Sequence, residues 1–555
     1  MSDAPAGGVT VAGGRVKTPN LVLRRVREEE RHETREEFAR ALVAAADLIG
    51  EHGLACDARL IARWEDGEVG RPRPAYQRAL EALTGRAFDT LGFRQPNAIE
   101  VPSPDALALE RLSFYVEEGQ MWARLGRRTF LVGSTAALLA QVGPLAGGTP
   151  ALGEVADPYG FTSLMRERWP ELKLSRPSPD YGVDLTALFP AGRVLEGSSL
   201  QMQFHDASVS NGRALASLTN LPRWTQFSRT SGRALLVGAD LSNGAPRFFA
   251  LDAREARRRL SNSPDSGSIA IPTAYELDDF SLGLLWACAS LDGGLQADDQ
   301  DLALSREELS AYEKLSASAV SREAAPELGS VSHMWLGSEF CARHILRNLD
   351  GLPDLPVFWT REQRGEEACA WLLFDHKYAY LRAVRSRTGE QASVRMFCIP
   401  RQAVDGSPHY ERILLFLSIA LMEATGIHVK VCDDPSYSGV EGFVLGGQQA
   451  IIANWVRGAG MWHVDTTNRP SVLREFREAS GEVGAYSVIE SRDPARRMRS
   501  LADYLALDWA WLQTRCQALA QVGSASLLRP RSRLISVAGI DVACTYINDL
   551  ERAAA

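Results

Sequence analysis

Two arginines four positions apart, Arg59 and Arg63, lie in the run Asp57-Ala58-Arg59-Leu60-Ile61-Ala62-Arg63-Trp64-Glu65. Asp57 is a good N-cap, since its carboxylate can accept from the backbone N–H groups of a first turn, and Gly67 can stop the helix that follows. Helical spacing turns Ile61 and Trp64 inward and leaves Ala58, Arg59, Ala62 and Arg63 outside. A guanidinium offers two parallel N–H donors that match guanine O6 and N7. A face of small residues and arginines is therefore what a helix needs to lie in the major groove of DNA.

Such a helix needs neighbours to hold it. Thr34-Arg35-Glu36-Glu37 reads as a capping box, in which the Thr34 hydroxyl accepts from the Glu37 amide and the Glu37 carboxylate returns to the Thr34 amide. The spacing predicts a helix from here, with Phe38, Leu42, Ala45 and Ile49 as its apolar face and Gly50 or Gly53 as its stop. Helical signals begin near Asn20, and the Pro-containing stretch from Arg94 to Pro104 closes the segment.

Over Leu21 to Phe93 the sequence resembles the Xre/Cro-type helix-turn-helix family. There "EEFA" opens the second helix, "IARWEDG" closes the recognition helix and "ALEALTG" with "FDTLGF" forms the last helices. The resemblance implies an all-α DNA-binding domain at 20–94, with Phe38, Ile61 and Trp64 in its core. It also implies base readout by Ala58, Arg59 and Arg63, and phosphate contacts by Arg35, Arg71 and Arg73, on double-stranded DNA bound by a homodimer. The chain departs from the family in the longer stretch between the two motifs, Ala44 to Ala55. Charge is a second departure: Arg15 to Arg94 holds 15 basic and 14 acidic residues, so tight binding is expected to need the dimer rather than a general basic coat.

The whole chain, 555 residues with net charge -8, 45% apolar and 23% charged, has the composition of a multidomain globular protein and excludes a disordered or collagen-like one. Only five of its 61 basic residues are lysine, a bias that resembles high-GC actinobacterial coding. Its eight cysteines are scattered without a C-x-x-C, which suits a reducing cytoplasm. Arg127-Arg128 before an apolar stretch resembles a twin-arginine export signal, but it lies deep inside the chain and is expected to be a linker helix. No membrane partner and no cofactor or metal are expected.

Five regions follow: an arm at 1–19, the helical domain at 20–94, a linker with helices at 95–156, a mixed α/β domain at 157–325, and an α/β sensing or oligomerisation domain at 326–555. The fold class is therefore multidomain, all-α followed by mixed α/β (α+β). Arg233 to Leu241 and Pro246 to Leu251 predict a hairpin about Ser242-Asn243-Gly244. Asp278 to Ala289 predicts a buried helix, and the acidic Asp292 to Asp301 a solvated loop. Beyond Val331, helices at Ser338–Asn348, Glu366–Phe374 and Ser407–Thr425 alternate with strands at Ser393–Ile399 and His428–Val431. A hairpin about Gly446-Gly447, a helical tail from Pro494 to Ala520 and a last strand within Leu534 to Tyr546 complete the expectation.

Catalytic patterns are missing from this region. There is no phosphate-binding G-x-x-x-x-G-K-[ST] and no H-E-x-x-H, and Pro435-Ser436-Tyr437-Ser438-Gly439 lacks the first glycine of a nucleophile elbow. Val429 to Val431 with Gly442 to Leu445 and Ala450 to Trp455 resembles, faintly, the α/β domain of the phospholipase D superfamily. Its H-x-K-x-x-x-x-D is missing, and His376-Lys377 are adjacent instead. An enzyme or defence effector with an appended DNA-binding head is thus the alternative to a regulator. Cys341 and His344 supply two ligand types on one helix face, too few to close a zinc site. Trp359, Trp371, Trp455 and Trp462, with Trp509 and Trp511, are read as core or as the walls of a pocket for a small-molecule effector.

Overall fold

A computed structural model describes residues 20–93 and 159–552, interrupted by short stretches of which 176–183 and 219–232 are the longest. The chain divides into two compact units, 1–141 and 142–555. The division falls within the expected linker; Arg127-Arg128 and the rest of 94–158 lie outside the described residues.

The first unit is helical where it is described. Helix α1, Leu21–Arg25, continues as a π turn through Val26–Glu30. Helix α2, Arg35–Leu48, starts at the capping box: the Glu37 amide donates to Thr34 Oγ1 at 3.2 Å and the Thr34 amide to Glu37 Oε2 at 2.8 Å. It runs three turns and more, so the extra length between the two motifs is taken up partly as helix. Helix α3, Ala58–Glu65, is capped by the Asp57 carboxylate, which accepts from the Leu60 amide at 2.8 Å. Helix α4, Pro74–Thr84, opens on a proline, which costs nothing at the first turn. Leu23, Phe38, Leu42, Ile61, Trp64, Leu80 and Leu91 form one apolar cluster, with Trp64 edge-on to Tyr76 at 5.3 Å.

The second unit begins with helix α5, Phe161–Arg168, and strands β1 (Lys173–Ser175), β2 (Asp184–Leu188), β3 (Ser199–Ser210), β4 (Arg213–Ser217), β5 (Arg233–Asp240), β6 (Arg247–Asp252) and β7 (Ser268–Pro272). The long β3 pairs with β2 along its first half, with β5 in parallel from Leu200 to Asp206, and with β4 at its end. The β5–β6 hairpin pairs Asp240 with Arg247, and Gly244 takes a φ of +87°, the left-handed turn that Asn-Gly foretells.

Helices α6 (Ala253–Asn262), α7 (Asp279–Ala297) and α8 (Asp299–Leu309) follow, then β8 (Ser318–Ser321) and helix α9 (Ser330–Leu349). The expected acidic loop from Asp292 to Asp301 is instead the end of α7 and the start of α8. Asp292 is buried and pairs with Arg233, while Asp298 accepts from the Gly329 amide. These carboxylates are spent on internal partners, which a composition-based reading cannot anticipate.

The remaining elements are β9 (Val357–Thr360), α10 (Gly365–Leu373), α11 (Asp375–Thr388), β10 (Val394–Cys398), α12 (Arg401–Asp405), α13 (His409–Ala424), β11 (His428–Cys432), β12 (Phe443–Gly446), β13 (Gln449–Asn454) and β14 (Met461–Thr467). Helices α14 (Pro470–Ala485), α15 (Pro494–Tyr504), α16 (Trp509–Val522), α17 (Ala525–Leu528) and α18 (Ala538–Arg552) end the chain. The expected terminal strand is thus helix α18. Its Ile540, Ala543, Cys544 and Ile547 recur at helical spacing and are fully buried.

The second sheet runs β11-β10-β9-β12-β13-β14-β8. Strands β9, β10 and β11 are parallel, and from β12 onward the pairing is antiparallel. One face is covered by α14, whose Phe476 stacks on Phe443 in a cluster with Trp359 and Met396; the other faces a core that runs without a break from Phe161 to Ile547. Strand β8, which precedes position 326, is itself a strand of this sheet. The boundary expected at 325 therefore does not divide two cores. No described helix is long and apolar enough to cross a membrane.

Candidate functional site

The outer face of α3 is arranged as its sequence predicts. Ile61 and Trp64 are 0% and 1% exposed, Phe38 beneath them is fully buried, Arg59 and Arg63 are exposed, and Ala58 is half-buried. Arg71 and Arg73 lie outside the described residues. Arg35, which the resemblance puts at a phosphate, is engaged elsewhere: it donates to Glu65 Oε2 from Nε at 2.8 Å and Nη2 at 2.7 Å. The same buried carboxylate receives Arg27, from Nε at 2.6 Å and Nη2 at 3.2 Å. The Glu65 side chain thereby ties α1 and the start of α2 to the end of α3, and fixes the angle at which Arg59 and Arg63 are presented. Arg27 and Glu65 hold α3 in place, and neither was singled out in the sequence; the signal was an acid closing an otherwise arginine-rich helix.

A second constellation lies in the larger unit. A cleft of about 500 Å3, part of it open to solvent, sits at the carboxyl end of β9, where the parallel half of the sheet meets the antiparallel half. The strand order also reverses here, from β11-β10-β9 to β12-β13-β14, and such switch points leave a crevice because the adjoining connections diverge. Its floor is Phe358, Thr360, Val444, Ala453 and Arg395 from the sheet, and its walls come from α9 through Cys341 and Ala342, α10 through Trp371 and α11 through Lys377 and Tyr380.

The polar groups here are unusual for so dry a place. Lys377 is 3% exposed, with its ammonium 3.8 Å from the centre of the Trp371 ring and 4.6 Å from that of Trp455. Burial pulls its pKa down to about 8, against the opposing pull of Glu362. Arg395, also 3% exposed, lies against Trp371 and Phe358 at 4.8 Å each. It donates to the Thr360 hydroxyl at 2.6 Å and the Tyr380 hydroxyl at 3.4 Å. Glu362 is buried and held above the ordinary carboxylate range by that burial, which Lys377 and Arg395 offset only in part. Arg361 reaches Asn454 Oδ1 at 3.4 Å at the rim.

Of the tryptophans read as pocket walls, Trp371 and Trp455 flank the ammonium. Trp359 meets the cleft from β9 while its ring stacks on Phe443 in the opposite core at 5.7 Å. Trp462 does not reach the cleft; it fills the space above Gly337 on α9. Trp509 and Trp511 pack on α16 beside Phe416 and Phe280. Lys377, Arg395 and Glu362 were missed, although an arginine inside the apolar run Val394-Arg395-Met396-Phe397-Cys398 was the clue available.

Other constellations do less. Cys341 is buried in the cleft wall with its thiol pushed up to about 12 by burial, and His344 faces the Asp465 carbonyl at 3.3 Å. Among the described residues no group of three or more His, Cys, Asp and Glu is placed to hold a metal. Pro435–Gly439 is an exposed 3-10 turn. Ser338 Oγ and His376 Nε2 stand 2.9 Å apart, but Ser338 is fully buried in α9 and neither lines the cleft.

Comparison with known proteins gives no relative: no family model, no curated protein and no solved structure matches the chain.

Proposed function

We propose that the chain is a sequence-specific regulator of the Xre/Cro-type helix-turn-helix class, which binds double-stranded DNA through α3 as a homodimer in the cytoplasm. One observation carries this reading. Helix α3 has a capped start, an inner face closed by Ile61 and Trp64, a C-terminal turn anchored by Glu65, and two exposed arginines on the opposite side. A helix so held from behind and so furnished in front is suited to base edges in a major groove. Arg59 and Arg63 are assigned to guanine, with Ala58 allowing close approach. Arg71 and Arg73 are assigned to phosphates, while Arg35 acts chiefly through Glu65. In this reading the second unit senses an effector and carries no catalytic activity.

The test is titration of the full chain against duplexes selected from a random pool, alongside scrambled duplexes, at several salt concentrations. Arg59→Ala and Arg63→Ala should each cost about 1 to 3 kcal/mol on the selected site and relax preference at one position. Arg71→Ala or Arg73→Ala should weaken selected and scrambled DNA alike and lower the salt slope by about one per contact. Equal loss on both duplexes for Arg59→Ala and Arg63→Ala, or no loss, refutes the assignment of α3 as the reader.

A further inference from the structure

We propose that the cleft at the carboxyl end of β9 is a binding site for a small organic anion, a carboxylate or phosphate head on a flat unsaturated body, with Arg395 and Lys377 holding the head. The inference rests on the reading of the second unit as the sensing part only in calling that ligand an effector. Binding itself is measured without DNA, so the two can fail separately.

Charge balance is the first argument. Three cations, Arg361, Lys377 and Arg395, line the cleft with a single carboxylate, Glu362. Arg395 is buried, yet its hydrogen-bond partners are two neutral hydroxyls, and its Nε has no partner among the described residues. Arg361 Nε is likewise buried and unpartnered. Lys377 has ring faces where a buried ammonium ordinarily has a carboxylate. Desolvating a cation costs more than ring quadrupoles return, so buried cations ordinarily carry an anionic partner. Here one buried carboxylate, Glu362, answers three cations, which leaves an excess of positive charge along a cleft partly open to solvent.

Shape is the second. The cations stand among Phe358, Trp371, Tyr380 and Trp455, so a ligand whose head meets them must lay its body on aromatic and aliphatic surface. The cleft lies at the carboxyl end of β9, beside which the strand order reverses from β11-β10-β9 to β12-β13-β14, the kind of place where open α/β sheets bind ligands, and the helix walls α9, α10 and α11 give it fixed geometry. Glu362 then keeps Lys377 oriented while leaving net positive charge for the ligand.

The experiment titrates the full chain with 2-naphthoate, benzoate and adenosine monophosphate, and with the neutral counterparts 2-naphthamide, benzamide and adenosine, reading tryptophan fluorescence and Tm. At least one anion should quench fluorescence and raise Tm in the millimolar range or below, at least about tenfold more tightly than its neutral counterpart. Whether the carboxylates or the nucleotide respond identifies the head group. Arg395→Met and Lys377→Met should abolish the response. Asn454→Asp, at the half-buried rim beside Arg361, supplies an anion internally. It should raise the ligand-free Tm and weaken the responding anion by about tenfold or more even if the core variants fail to fold. The proposal is overturned if no anion acts by the millimolar range, if neutral counterparts act equally, or if Asn454→Asp leaves the response unchanged.

Discussion

Replacing Glu65 by alanine removes a carboxylate that accepts from two guanidiniums and leaves Arg27, whose side chain is only 6% exposed, without its main partner. Arg27 keeps the Glu33 carbonyl at 2.9 Å and Glu28 at 2.9 Å, but Glu28 is half in solvent and cannot follow the guanidinium inward. Breaking a buried pair from one side costs about 3 to 5 kcal/mol, because the remaining charge stays desolvated. Arg35, at 34% exposure, can turn to water and adds little. Against a domain stability of about 5 to 15 kcal/mol this is a large fraction. Hydrogen exchange read peptide by peptide on the full chain isolates the effect: amides of α1 to α4 should open more than about a hundredfold faster, while α13 and α18 of the second unit stay unchanged. Under the proposed reading of α3 as the base reader, sequence-specific DNA affinity should fall in parallel. The double variant Arg27→Met with Glu65→Leu should recover most of the protection, since it removes both charges. A change of less than about tenfold in Glu65→Ala would refute the view that this pair sets the position of α3.

Three further outcomes are expected. Trp64→Ala should cost about 3 to 5 kcal/mol by emptying the centre of the first unit, lowering its melting in calorimetry while the second unit's transition stays in place. Gly365→Ala should destabilise the second unit by about 1 to 3 kcal/mol in denaturant titration, because its Cβ would meet the Glu411 carbonyl where α10 crosses α13. Anion affinity of the cleft should be flat below about pH 8 and fall above it as Lys377, facing Glu362, Arg395 and Cys341, loses its proton. With a folded pKa near 8 against 10.5 unfolded, the unfolded chain binds more protons between those values. Ligand-free stability should therefore rise across that interval, by on the order of 3 kcal/mol in total, and Lys377→Met should remove the rise.

Local pattern carried much of the architecture. The capping box at Thr34, the Asp57 cap, the Asn-Gly turn at Gly244 and the buried α7 and α13 are written in neighbouring residues, because hydrogen bonds that start a helix or a tight turn reach only three or four positions. The inward Ile61 and Trp64 and outward Arg59 and Arg63 follow from helical period alone. Tertiary contacts decided the rest. Arg35 reads as a surface cation until Glu65, 30 residues on, takes its guanidinium, and Asp292 reads as solvated until Arg233 meets it from β5. Leu534 to Tyr546 alternates well enough for a strand, yet α13 and α16 give it a helix-shaped slot. The cleft is the clearest case: Arg395 on β10, Lys377 on α11, Glu362 just after β9 and Trp455 just after β13 come from four separate stretches, and no spacing links them. Their meeting depends on where β9 sits in the order of the second sheet, and strand order is settled by which apolar faces bury together rather than by the residues of any one strand.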